Sequence, residues 1–129
     1  MNPKHYKEQI EQLGIDGFEI KPESLMDATT SLIHLKEYLR ILRQIKYNIR
    51  IDSRKIRREY ITKIDVLSES FKENKKSDKK FKEAKKKLLK EKEELVAPYD
   101  ALDNLIDGYI IQIEDSKIFL REFIKNQVK

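Results

Sequence analysis

The chain has no cysteine, no tryptophan, only two histidines, and only three glycines and three prolines in 129 residues. Each shortage excludes something. Without cysteine there is no disulfide framework, no thiolate-bound zinc and no thiol nucleophile. So few glycines and prolines argue against an all-β fold, which needs turn residues about every 8–12 positions. No apolar run approaches the ~18 residues of a membrane span, and the first residues (Met1-Asn2-Pro3-Lys4-His5) lack the apolar stretch of a secretory signal. These readings predict a cytoplasmic chain without a membrane segment.

What is present is charge. Lys and Arg number 28 against 23 Asp and Glu, charged residues make up 40 % of the chain, and the net charge is +5. A composition rich in Lys, Glu and Ile suits a protein from a hot environment, where ion-pair networks gain value. An AT-rich genome gives the same bias. Apolar residues at 39 % are enough for a thin core.

Local signals divide the chain. Asn2-Pro3 reads as an N-cap followed by proline at the first helical position. Tyr6, Ile10 and Leu13 then share one helical face, and Gly14 is placed to stop the helix in a left-handed conformation, with Ile10 and Ile15 as the accompanying apolar pair. Asp16-Gly17 signals a turn, and Phe18-Glu19-Ile20 reads as extended, with Lys21 held out of helix by Pro22. Ser24, with Asp27 three residues on, marks the next helix start.

From Leu25 to Phe71 helical spacing runs unbroken. Leu32, Leu35, Leu39, Leu42, Ile49, Ile56, Tyr60 and Leu67 alternate by threes and fours as a heptad stripe does. At 1.5 Å per residue this is a rod of roughly 70 Å, which needs a partner along its length. Asn74-Lys75-Lys76-Ser77-Asp78 interrupts the stripe. A second one follows, with Phe81, Leu88, Leu95, Leu102 and Tyr109 seven apart, joined by Tyr99, Ile106, Ile113 and Leu120. The prediction is an all-α fold: a long antiparallel helical hairpin with the short N-terminal helix on its base. Position i then faces about 152 − i, and Phe71 meets Phe81 near the tip loop at 74–78. Two conflicts stand inside the second helix. Pro98 should kink or restart it. Asp107-Gly108 is also a hairpin-turn signal, but the stripe keeps its phase through Gly108, which makes it a predicted close-packing point.

The hairpin divides into an apolar base, 1–51 with 99–129, and an arm, 52–98, with a single seam. In the base, Met26, Ile33, Tyr38, Ile41 and Ile45 widen the first stripe, and Leu105, Ile110, Ile111, Ile118, Phe119 and Phe123 widen the second. A wide stripe contacts more than one neighbour. A homodimer through Leu105, Tyr109, Ile110, Ile111, Ile118 and Phe119 is therefore expected. Charge divides at the same place: the arm holds 16 basic and 10 acidic residues, the remainder 12 and 13.

Lys75, Lys76, Lys79, Lys80, Lys82, Lys85, Lys86, Lys87 and Lys90 crowd the tip. Clustered cations attract polyphosphate through counterion release. Lysine without interleaved Arg, Asn or aromatic residues suits backbone contact with DNA or RNA more than base reading. The plainer reading is a solvated, self-repelling surface that keeps a thin rod soluble. Arg50, Arg54, Arg57 and Arg58, with Arg43 behind them, face the acidic run Asp100, Asp103, Asp107 and Glu114. The register sets Arg58 against Glu93 and Glu94, so interhelical ion pairs are expected rather than phosphate forks or a metal site. His5 and His34 have no partner spacing, and no nucleophile motif or glycine-rich phosphate loop occurs. The sequence thus points to a non-enzymatic protein without cofactor or metal, binding nucleic acid through its tip. The alternative is a protein–protein adaptor or assembly subunit recruiting its partner at the base. A chaperone-like hairpin is a third reading, disfavoured by so charged a tip.

Overall fold

The computed structural model describes residues 1–74 and 78–128, and the side chains of all of these except Glu73 and Asn74. It contains α1 (Pro3–Gln12), a 3-10 turn at Ile15–Gly17, α2 (Leu25–Asn74) and α3 (Asp78–Val128). The two long helices pack against each other as an antiparallel hairpin, and α1 contacts both. Among the described residues there is no strand, and no helix is long and apolar enough to cross a membrane. The tip loop at 75–77 lies outside the described residues.

The starts of α1 and α2 have local causes. The Asn2 side chain accepts from the His5 amide at 3.0 Å, and Pro3 opens α1 where its missing N–H costs nothing. Gly14 is left-handed (φ 66°, ψ 30°), and its amide donates to the Glu11 carbonyl at 3.1 Å. Phe18 is extended but joins no sheet. Its ring packs edge-on against Tyr38, with centroids 5.4 Å apart, and so ties the connecting segment to α2. Ser24 caps α2 through its Oγ, which accepts from the Asp27 amide at 3.1 Å.

The core runs between α2 and α3 at the base, with Leu35, Leu39, Leu42, Ile45 and Ile49 against Tyr99, Leu102, Ile106, Ile113 and Leu120. Tyr6 and Ile10 of α1 close one side of it, joined by Leu13, Ile15, Phe18 and Ile20. That one short segment buries Tyr38 and Ile41 in part, whereas Met26 and Ile33 remain exposed. Beyond Tyr60 and Val96 no described residue of the arm is fully buried. The distal seam consists of half-buried side chains and ends at Phe71 and Phe81, whose rings lie 5.5 Å apart.

Three sequence expectations change. Helix α3 is continuous through Pro98, which does not restart it. Leu95, a stripe residue by heptad count, is 50 % exposed, and Val96 beside it takes the seam at 2 %. Leu88 before it is half-buried and Leu102 after it is buried, so the departure from the seven-residue count is local to Leu95 and Val96. Gly108 is helical, as the stripe requires, but it is not a packing point within the chain: a Cβ placed there would meet nothing within 4 Å.

Candidate functional site

One edge of the base carries a ladder of ion pairs. Arg43 bonds Glu114 at 3.2 Å, Arg50 bonds Asp103 at 3.3 Å, Arg57 bonds Asp100 at 3.1 Å, and Lys46 reaches Asp107. The acidic run Asp100, Asp103, Asp107, Glu114 therefore faces basic residues of α2, and no group of carboxylates and histidines suited to a metal occurs among the described residues. The expected Arg58 pairing with Glu93 and Glu94 does not form. Arg57, one residue earlier, lies on the flank facing α3, which leaves Arg58 on the exposed outer side. Neither Arg54 nor Arg58 enters an ion pair among the described residues. Lys46 extends the ladder and was legible from the fold-back register alone, which sets it beside Asp107.

Where the ladder meets the arm, a groove of about 300 Å³ opens beside Ser53, Arg54, Arg57, Tyr99 and Asp100. Ser53 causes it. This small residue holds a seam position between Ile49 and Ile56, is buried, and accepts from Arg57 Nε at 3.3 Å. Arg50 and Arg57 are held by carboxylates here, which leaves Arg54 as the cation of the groove outside the ladder.

On the opposite edge the chain's first residues are fastened to the hairpin. The Tyr6 hydroxyl donates to Asp52, whose carboxylate also bonds the Met1 amino group at 3.2 Å, and the Tyr99 hydroxyl donates to the Met1 carbonyl at 3.0 Å. Burial, followed by the hydrogen bond to Asp52, pushes the Tyr6 hydroxyl well above its ordinary pKa. Burial and the Asp52 charge raise Tyr99. Burial alone would raise Asp52, but Tyr6, the amino group and Lys55 together outweigh it and hold the carboxyl below its usual value. Tyr109 donates to Asp16 at 2.8 Å, and that bond, with burial, raises it as well. Sequence reading missed this set, because Tyr6 and Asp52 are 46 positions apart and share no local pattern.

The lysines of α3 are arranged differently. Lys79, Lys80, Lys82, Lys85, Lys86, Lys87 and Lys90 are all exposed. Lys79, Lys82, Lys86 and Lys90, spaced three or four apart, form one outward row over about 16 Å of helix. None of these four, nor Lys85 or Lys87, enters an ion pair among the described residues. Lys75 and Lys76 lie outside the described residues.

The six residues expected at a dimer interface do not share a face. Tyr109 and Ile110 pack against the chain's own core. Ile111 and Ile118 are exposed beside the ladder, on the helical row of Asp107 and Glu114. Leu105 and Phe119 are exposed on a different row, two heptads apart. His34 is exposed at the rim of the base, its ring 6.0 Å from Phe18. Compared with known protein families, curated proteins and solved structures, the chain matches none.

Proposed function

We propose that this is a non-enzymatic, cytoplasmic protein that grips the phosphate backbone of DNA or RNA with the lysine face of its arm. What supports the reading is the contrast between two sets of cations on one hairpin. At the base and its junction with the arm, Arg43, Lys46, Arg50 and Arg57 each meet a carboxylate, and their charge is used in pairing the helices. On α3, Lys79, Lys82, Lys86 and Lys90 stand in a row with no carboxylate bonded to them among the described residues. Over the ~16 Å of that row one DNA strand carries about five phosphates at 3.4 Å of axis each. Lysine is a compact, flexible cation that suits such contacts without reading bases.

The test is a titration against duplex DNA and structured RNA at several salt concentrations. Wild type should bind with an affinity that falls steeply with salt. Reversing Lys79, Lys82, Lys86 and Lys90 to Glu should weaken binding at least tenfold and flatten the log–log salt slope by roughly 3–4, at about 0.9 per phosphate contact on DNA. Equal binding by both proteins overturns the reading. The exposed Leu105 and Phe119 favour a second reading, an adaptor that recruits a protein at the base. No affinity for either nucleic acid, together with a specific protein retained after nuclease treatment, would establish it.

A further inference from the structure

Two arginines of α2 stand apart from the ladder. Arg54 and Arg58 are exposed, and no carboxylate bonds either of them among the described residues. They are one helical turn apart, about 6 Å by helix rise, and border a shallow groove of about 540 Å³ with Ile51, Lys55, Glu59 and Thr62. Arg54 also lines the groove beside Ser53 and Tyr99. Two such arginines offer neighbouring guanidinium forks to phosphate oxygens.

Tyr47 lies on the same row. Arg40, Gln44, Tyr47, Ile51, Arg54 and Arg58 succeed one another three or four positions apart, on the side of α2 opposite its buried seam residues Ile49, Ser53 and Tyr60, and all six are exposed. No acidic residue interrupts the row. Glu37, bonded to Arg40, precedes it, Glu59 borders it, and Asp65 closes it. Of the six tyrosines only Tyr47 is exposed, at 62 %, and its ring meets no other ring or cation among the described residues.

A flat exposed ring on a row with two arginine forks suits one class of partner. Bases of any identity stack on tyrosine, while cations hold the phosphates that join them. A duplex hides its base faces, so the partner is a strand with unpaired bases. An acidic amphipathic helix would meet the arginines as well, but such a helix presents an apolar stripe along its length, and this row offers it a single turn, Tyr47 and Ile51. The lysine row of α3 contains no aromatic residue and suits phosphates alone.

We infer that the outer side of α2 binds single-stranded nucleic acid, with a base stacked on Tyr47 and phosphates held by Arg54 and Arg58. The inference deepens the nucleic-acid reading and rests on it for the class of partner: the lysine row takes the phosphates of any strand, and this side selects strands with unpaired bases.

The chain has no tryptophan, so Tyr47→Trp places a single indole on the site. Oligothymidylate should quench its emission, and an abasic strand of the same length should not. Wild type should bind oligothymidylate about tenfold more tightly than the abasic strand. Tyr47→Ala should bring the two to equal affinity without changing the abasic one, and Tyr47→Phe, which keeps the ring, should keep the preference. Arg54→Gln combined with Arg58→Gln should weaken both strands. Duplex binding should be the same in wild type and Tyr47→Ala. Equal affinity of wild type for the two strands, or a preference that survives Tyr47→Ala, overturns the inference and leaves the lysine reading standing. Loss of the preference in Tyr47→Ala, with duplex binding indifferent to reversal of the α3 lysines, supports the inference and overturns the lysine reading. Poly-glutamate that binds as tightly as oligothymidylate, and with the same dependence on Tyr47, assigns the row to an acidic protein and overturns the inference.

Discussion

The Tyr6 hydroxyl donates to the Asp52 carboxylate and so joins the first helix to the point on α2 where the base gives way to the arm. Tyr6 is buried and Asp52 is partly exposed. The bond is charge-assisted, and removing such a bond typically costs about 1.5–3 kcal/mol. Because Asp52 keeps some water contact, Tyr6→Phe should cost toward the lower end of that range, about 1.5–2 kcal/mol. A shift in urea midpoint, with far-ultraviolet dichroism unchanged, would show it. Asp52→Asn should cost more, because it also weakens the hold on the Met1 amino group.

The same group sets the response to pH. Tyr6, Tyr99 and Tyr109 are raised in the fold, so the folded chain holds these protons longer than the unfolded one. Their contribution is complete below the ordinary tyrosine value near 10 and is lost as pH rises through the folded values. Asp52 is lowered, so its contribution is complete above the ordinary carboxyl value of about 3.9 and is lost as pH falls through the folded value. Urea midpoints should therefore fall at both extremes, and Tyr6→Phe should flatten the alkaline fall. An alkaline slope unchanged in that variant would count against the bond.

Core and surface positions on α3 should separate sharply. Ile106 is 0 % exposed and lies in the main cluster, so Ile106→Ala should cost about 2–5 kcal/mol. Ile111, 64 % exposed, should tolerate alanine within about 0.5 kcal/mol. Chemical denaturation of the two variants side by side measures the difference.

The ion-pair ladder should direct pairing more than it stabilises. Arg50 and Asp103 meet at 3.3 Å, with the Arg50 side chain more than half exposed. A double-mutant cycle with Arg50→Gln and Asp103→Asn should give a coupling of about 0.2–1 kcal/mol that shrinks with added salt.

Much of this architecture could be read from local signals. Asn2, Gly14 and Ser24 each act on a backbone within three residues of themselves, so their roles are visible in sequence. The fold-back register set Arg50 beside Asp103 because two stripes joined by a short loop allow only one direction of pairing. What escaped depended on the third dimension. Heptad counting put Leu95 in the seam because a strict count does not record the local departure that buries Val96 in its place. The flank residues Leu105 and Ile111 look alike as extra apolar positions, yet one lies away from the ladder and the other beside it. Tyr6 and Asp52 meet because α1 folds back across the hairpin, a path that no periodicity records. For the lysines, sequence supplied the cluster, and the helix supplied the row.

The arm's thin seam makes its two ends unequal in time as well as in space. Beyond Tyr60 and Val96 the helices are held by half-buried side chains with no third element over them. Local opening needs less free energy where fewer apolar contacts must be broken. Amide exchange should therefore quicken step by step from Ile106 toward Phe81, the tip parting and reclosing many times for each opening of the base. A polyanion laid along the lysine row would hold one helix of that clasp, and its arrival would register first as slowed exchange around Phe81 and Leu88, far from any change in the base.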